Sequence, residues 1–119
     1  MGMPIETGNA HRDSPARRGW LLGHFIEPAT SLRRSDALEV KWHAFSAGDG
    51  RNDAIAGDAR TAVCLLISGR LRIQFEGGDE VVLADEGDYA IWQGVGHTWR
   101  GEEDGLSVVI RWPSLPGYS

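Results

Sequence analysis

The chain has 119 residues, enough for one domain with its own apolar core and too few for two. Hydrophobic residues make up 41% and charged residues 24%, which excludes a disordered or fibrous chain. The net charge of −5 argues against a nucleic-acid partner, since phosphate binding asks for a basic face. Cys64 is alone, so neither an internal disulfide nor a thiolate zinc cluster can form. No apolar run approaches the about 18 residues of a membrane helix, and the start has no cleavable-leader pattern, so no membrane partner is expected and the expected location is the cytoplasm.

Residues 1–18 hold little that can be buried, with Gly2, Pro4, Gly8, Asp13 and Pro15 among them. They read as a flexible arm before a domain at 19–113, with a tail at 114–119. From residue 19 onward short runs of β-formers alternate with turn residues, at 20–26, 38–45, 61–67, 71–76, 80–84, 89–93, 97–100 and 106–112. The segment 46–60, with Gly48, Gly50 and Gly57 and with Asp49, Asp53 and Asp58, reads as a loop at the mouth of the fold. Val63, Cys64, Leu65, Leu66 and Ile67 are apolar on both faces, as in a strand covered on both sides. Ser68-Gly69 reads as a tight hairpin link into a strand where Leu71, Ile73 and Phe75 share one face and Arg70, Arg72, Gln74 and Glu76 the other. Further turns fall at 77–79, 85–88 and 101–105, and strands punctuated this regularly predict an all-β sandwich or barrel.

The segment Glu86-Gly87-Asp88-Tyr89-Ala90-Ile91-Trp92-Gln93-Gly94-Val95-Gly96-His97-Thr98-Trp99 resembles the second signature of the cupin superfamily: glycine-aspartate, a short apolar strand, a glycine-bearing turn, then histidine. Upstream, Leu65-Leu66-Ile67-Ser68-Gly69-Arg70-Leu71-Arg72-Ile73 resembles the strand-glycine-strand end of the first signature. The resemblance spans about residues 38–112 and implies a single-domain jelly-roll β-barrel around a small-molecule cavity, into which His97 points. The family's metal site usually combines a His-x-His pair, a glutamate and the later histidine. Here the loop at 48–56 has no histidine and the glutamate position, seven before Gly69, is Ala62. His97 is then the only motif-matched ligand, and a catalytic metal wants about three protein ligands, so no cofactor is expected. A divalent transition metal would need His43 or His24 and a carboxylate to join His97.

His97 is the candidate catalytic residue, as a general base or ligand-orienting group expected to be neutral in a partly dry cavity. Trp99, two residues on, faces the same side of the strand and suits stacking on a ligand. His43 and Arg51 complete the candidate pocket, Arg51 (with Arg60) as a group for a carboxylate or phosphate. Cys64, in a doubly apolar strand, reads as an inert thiol, and Ser68 lacks the strained elbow of a nucleophile. The eight carboxylates between Asp79 and Asp104 read as a solvated face. The expected function is a metal-independent pocket protein that binds, isomerises or cyclises a small organic ligand; whether it is an enzyme stays open. A homodimer is expected through strand edges at 20–26 and 111–113. The alternatives are a metal-dependent cupin enzyme such as a dioxygenase, and a structural or interaction barrel filled by side chains.

Overall fold

Two long strands set the architecture of the computed structural model, which describes residues 5–51 and 53–115. The strands are β1 Trp20–Leu22, β2 Glu39–Phe45, β3 Thr61–Phe75, β4 Glu80–Leu83, β5 Tyr89–Gln93 and β6 His97–Trp112. All pairings between them are antiparallel, in the order β1-β2-β6-β3-β4, with β5 added to β3. β3 and β6 run side by side from Thr61↔Trp112 to Phe75↔His97.

The predicted hairpin at Ser68-Gly69 and the predicted turn at 101–105 are therefore corrected: the chain reverses at neither. Both segments lie opposite one another inside the β3–β6 pair, where the register slips between Leu66 and Leu71. Two short strands in the sequence are one long bent strand because both halves find the same partner. Bulges supply the extra twist that carries each strand from one layer to the other. Glycine makes the bend possible: Gly69 has φ +85°, and a Cβ there would lie 2.5 Å from the Asp104 carbonyl oxygen.

The result is an all-β jelly-roll sandwich. Its end strands β1 and β4 do not pair with each other among the described residues, so the sheet is not a closed barrel. One layer holds β1, β2, β5 and the adjoining halves of β3 and β6; the other holds β4 and the remaining halves. Strand alternation turns Cys64, Leu66, Leu71 and Ile73 inward, where Phe45 and Leu83 meet them to form the buried core. On the outer side Arg70 and Arg72 pair with Glu102, each at 2.9 Å, so part of the acidic stretch serves as a salt-bridged face.

The segment 46–60 is irregular but tied by backbone bonds along the edge of β6. Gly48 N donates to Gly101 O at 2.9 Å, Arg51 N to Trp99 O at 3.0 Å and Ile55 N to His97 O at 2.7 Å. Within the region read as an arm, α1 Ala10–Asp13 is capped by Asn9, a 3-10 turn Pro15–Arg17 follows, and Ser14 between them is buried. Ser114, read as the start of a tail, is also buried, and its backbone N–H bonds Asp36 O at 3.0 Å. Residues 1–4 and 116–119 lie outside the described residues. No described helix is long and apolar enough to cross a membrane.

Replacing Gly69 by alanine forces a left-handed Cβ against the facing strand, at a cost of about 2 kcal/mol or more. Urea unfolding should show this as a lower midpoint, whereas Gly77→Ala, which also has positive φ but open space around it, should lose only about 1 kcal/mol.

Candidate functional site

β2 is where the polar interior begins. Its alternation sends Glu39, Lys41 and His43 to the same side as the buried Phe45. Across the pair, Arg111, Val109 and Ser107 of β6 stand opposite those three residues. Farther along β6, His97 and Trp99 point the same way, and the 46–60 segment closes over them. Together these groups enclose a cavity of about 120 Å³, room for several waters or one small organic molecule.

His97, Trp99, His43 and Arg51, the four residues singled out in the sequence, all line this cavity. The His97 ring lies 4.9 Å from Trp92 and 6.3 Å from Phe75, centroid to centroid. Burial, helped by the charges of Arg111 and Arg51, pushes its pKa down to about 4. His43 meets Trp99 edge-on at 4.5 Å, and its Nδ1 is 3.3 Å from Ser107 Oγ. Burial and then the Lys41 charge push His43 down to about 4, against a smaller opposing pull from Asp49. Both imidazoles are therefore neutral at pH 7. Each can accept a proton or a hydrogen bond.

The remaining polar lining is mostly cationic. Lys41, Arg51, Arg60 and Arg111 face the cavity, with Asp58 the acidic group among its lining residues. Behind it, fully buried Glu39 forms ion pairs with Arg60 and, at 2.9 Å, with Arg111 Nε. Arg60 also grips Asp58 through Nε–Oδ1 at 3.0 Å and Nη2–Oδ2 at 2.7 Å. Arg111 lies 4.1 Å over the Trp20 ring, a cation–π contact, and burial lowers its pKa to about 10, still fully charged at neutral pH. Four cations against two carboxylates leave the cavity region positive in a chain whose net charge is −5.

The other sequence candidates fall elsewhere or lose reactivity. His24 does not line the cavity; its Nδ1 is 2.6 Å from Ser114 Oγ, which in turn donates to Glu39 Oε2 at 3.2 Å. Cys64 is on the cavity floor, but burial pushes its thiol up to about 11, so it stays protonated. Among the described residues no three His, Cys, Asp or Glu side chains group closely enough to hold a metal ion. Ala62 lines the wall where the family's glutamate is expected, and the guanidinium charges beside His97 oppose a metal cation. The described residues of this cavity do not fit a metal.

Sequence reasoning passed over Glu39, Lys41, Asp58 and Arg111. A signal for three of them exists in the alternation: Glu39 and Lys41 share a strand face with Phe45, and Arg111 shares one with Val109.

The fold is that of the small cupins. KdgF from Halomonas sp. superposes with a TM-score of 0.58 at 17% identity, covering 66% of this chain and 72% of that one. An RmlC-like cupin protein from Desulfovibrio desulfuricans gives 0.59 at 15% identity, over 69% and 77%. Ectoine synthase from P. lautus gives 0.57 at 18% identity, over 66% of this chain and 56% of its own length. No family model matches the sequence, and no curated protein matches it.

Glu39→Gln would leave Arg60 and Arg111 facing each other across an uncharged amide, and breaking a buried pair costs about 3–5 kcal/mol. Chemical denaturation should report that loss. A pH series should show a second effect. His43 and His97 are uncharged in the folded chain down to about pH 4, while their unfolded forms take up protons near 6.5. The contribution of the two histidines should be constant between about pH 7 and 8, and stability should fall as pH drops from about 6.5 towards 4, with a shallower slope in His43→Phe. A slope unchanged by that substitution would contradict it.

Proposed function

We propose that the chain is a cytoplasmic, metal-independent cupin-fold protein that takes a small organic anion into its cavity and isomerises or cyclises it by proton transfer at His97. One observation carries this reading: a neutral imidazole and an excess of positive charge share one cavity. An imidazole with a pKa near 4 is a modest base in water, but beside arginines it meets a substrate whose developing negative charge those arginines stabilise. Arg51, on the rim, is suited to grip a carboxylate, and Trp99 offers a flat face against which the ligand is held. Small-molecule chemistry on this fold is supported by one structural neighbour, which by its name is a synthase of ectoine.

A barrel filled by side chains fits less well, since it leaves the cavity and its charges without a use. A dioxygenase fits less well because the described residues offer its metal no cluster of three ligands. The homodimer expected from the sequence belongs to the same reading, though its face moves. Trp20 and Ile26 are buried in their own chain, while Ile67, Tyr89, Ile91 and Trp112 are exposed on one layer, so that layer's outer face is where a second copy would sit. Sedimentation of a monomer at micromolar concentration would remove the dimer from the reading.

Three cavity tryptophans give a direct readout of binding. Titration with short mono- and dicarboxylic acids should change the intrinsic fluorescence. Arg51→Gln should weaken that response about tenfold or more, the worth of a charged hydrogen bond. His97→Ala should abolish turnover with a small change in thermal midpoint, and dialysed protein should contain far less than one metal ion per chain. Stoichiometric metal that is lost in His97→Ala, or no response to any anion, would overturn the proposal.

A further inference from the structure

Lys41 is the single lysine of the chain, and it is not where lysines ordinarily sit. Its position on β2, between Glu39 and His43, turns its side chain to the cavity. The stem packs on Gly19, where an added Cβ would come 3.1 Å from Lys41 Cε, and Nζ lies 5.5 Å from the centre of the Trp20 ring. The two nearby carboxylates are engaged elsewhere, Asp58 with Arg60 and Glu39 with Arg60 and Arg111. Among the described residues Lys41 forms no ion pair. Its charged neighbours are Arg51 and Arg111 on the same cavity and Arg18 beside it. Burial first, then those three charges, lower its pKa from the ordinary value. An amine held among cations and partly out of water gives up its proton more readily and becomes a nucleophile.

We propose that Lys41 captures the carbonyl carbon of a short 2-oxo acid as an imine, with the acid's carboxylate held by the cavity arginines. The inference rests on the reading that the cavity binds small organic anions, and names the class. The deprotonated nitrogen forms the C–N bond while the carbonyl π pair moves to oxygen, and a proton passes from nitrogen to that oxygen. The C–O bond of the carbinolamine then breaks, oxygen leaves as water with one further proton, and the protonated imine remains. No oxidant or reductant enters. The neutral His43 and His97 rings supply the proton relay, and the size of the cavity restricts the acid to a few carbons.

The full chain is incubated with pyruvate, and separately with 2-oxoglutarate, in the presence of cyanoborohydride, whose hydride reduces the imine to a stable secondary amine. The expected product carries the mass of the acid less one oxygen atom on the tryptic peptide containing Lys41, left uncut at that residue. Labelling should be about tenfold faster than in urea-unfolded chain at neutral pH, as for an amine activated by its surroundings, and should be slowed by acetate, an anion without the carbonyl. Lys41→Arg should remove it; should that variant not fold, the location of the label in the unaltered chain decides. Label confined to the N-terminal amine, or formed at Lys41 no faster than in unfolded chain, overturns the inference. If either acid still changes tryptophan fluorescence in that case, the anion-binding reading stands without the imine. If neither labels nor changes fluorescence, both fall.

Discussion

A carboxylate shut away from water must be answered by protein groups, and Glu39 makes that demand at the centre of this molecule. Its answers come from three directions. Arg60 arrives from the start of β3, Arg111 from the end of β6, and Ser114 from beyond the last strand, bringing His24 with it. One side chain thus ties the sheet edge, the rim segment through Asp58, and both ends of the described domain. Its aliphatic neighbours pack wherever volume allows, but the ion pairs hold only at short range and in one geometry. Position in this part of the fold is set by charge more than by packing.

The same arrangement decides the electrostatics of the cavity. Glu39 stands behind the wall, so the cations it recruits present their outward sides to the open space. Arg60 is further neutralised by Asp58, whereas Arg111, Arg51 and Lys41 leave a net positive field. The two imidazoles stay neutral chiefly because they are buried, and the neighbouring cations push their pKa values further down. A bound cation would meet repulsion from Lys41, Arg51 and Arg111, with the Asp58 carboxylate already held by Arg60.

Much of this was legible in the residues. The Gly-Asp segment at 87–88 and the glycine turn before His97 led to the right fold, and strict alternation from Leu71 to Phe75 gave the inward face. His97 and Trp99 stand out through the motif at 86–99, Arg51 through the loop at 46–60 and His43 as a histidine in the run at 38–45, and all four line the cavity. What was lost was lost for two physical reasons. Local turn chemistry at Ser68-Gly69 looks the same whether the chain reverses or only bends, because the partner that keeps it straight lies over thirty residues away in β6. And composition read charged residues as solvent-facing, since burial of Glu39 depends on Arg60 and Arg111, which no local window contains. The strand at 20–26 was overdrawn for a similar reason: it ends at Leu22, and Ile26 is buried by packing after the chain has left the sheet.

The rim segment is fastened to β6 through main-chain atoms alone at Gly48, Arg51 and Ile55. Backbone bonds of this kind do not depend on which side chain each residue carries. Substitutions at Arg51, Ile55 and Ala56 can therefore redraw that part of the cavity wall without unfastening the segment, while the Glu39 network, which reaches the rim only at Asp58, stays untouched. The part of the cavity wall built by Arg51, Ile55 and Ala56 is thus separate from the ion pairs that hold the strands together. Descendants of such a protein can change what they hold far more easily than they can change their shape.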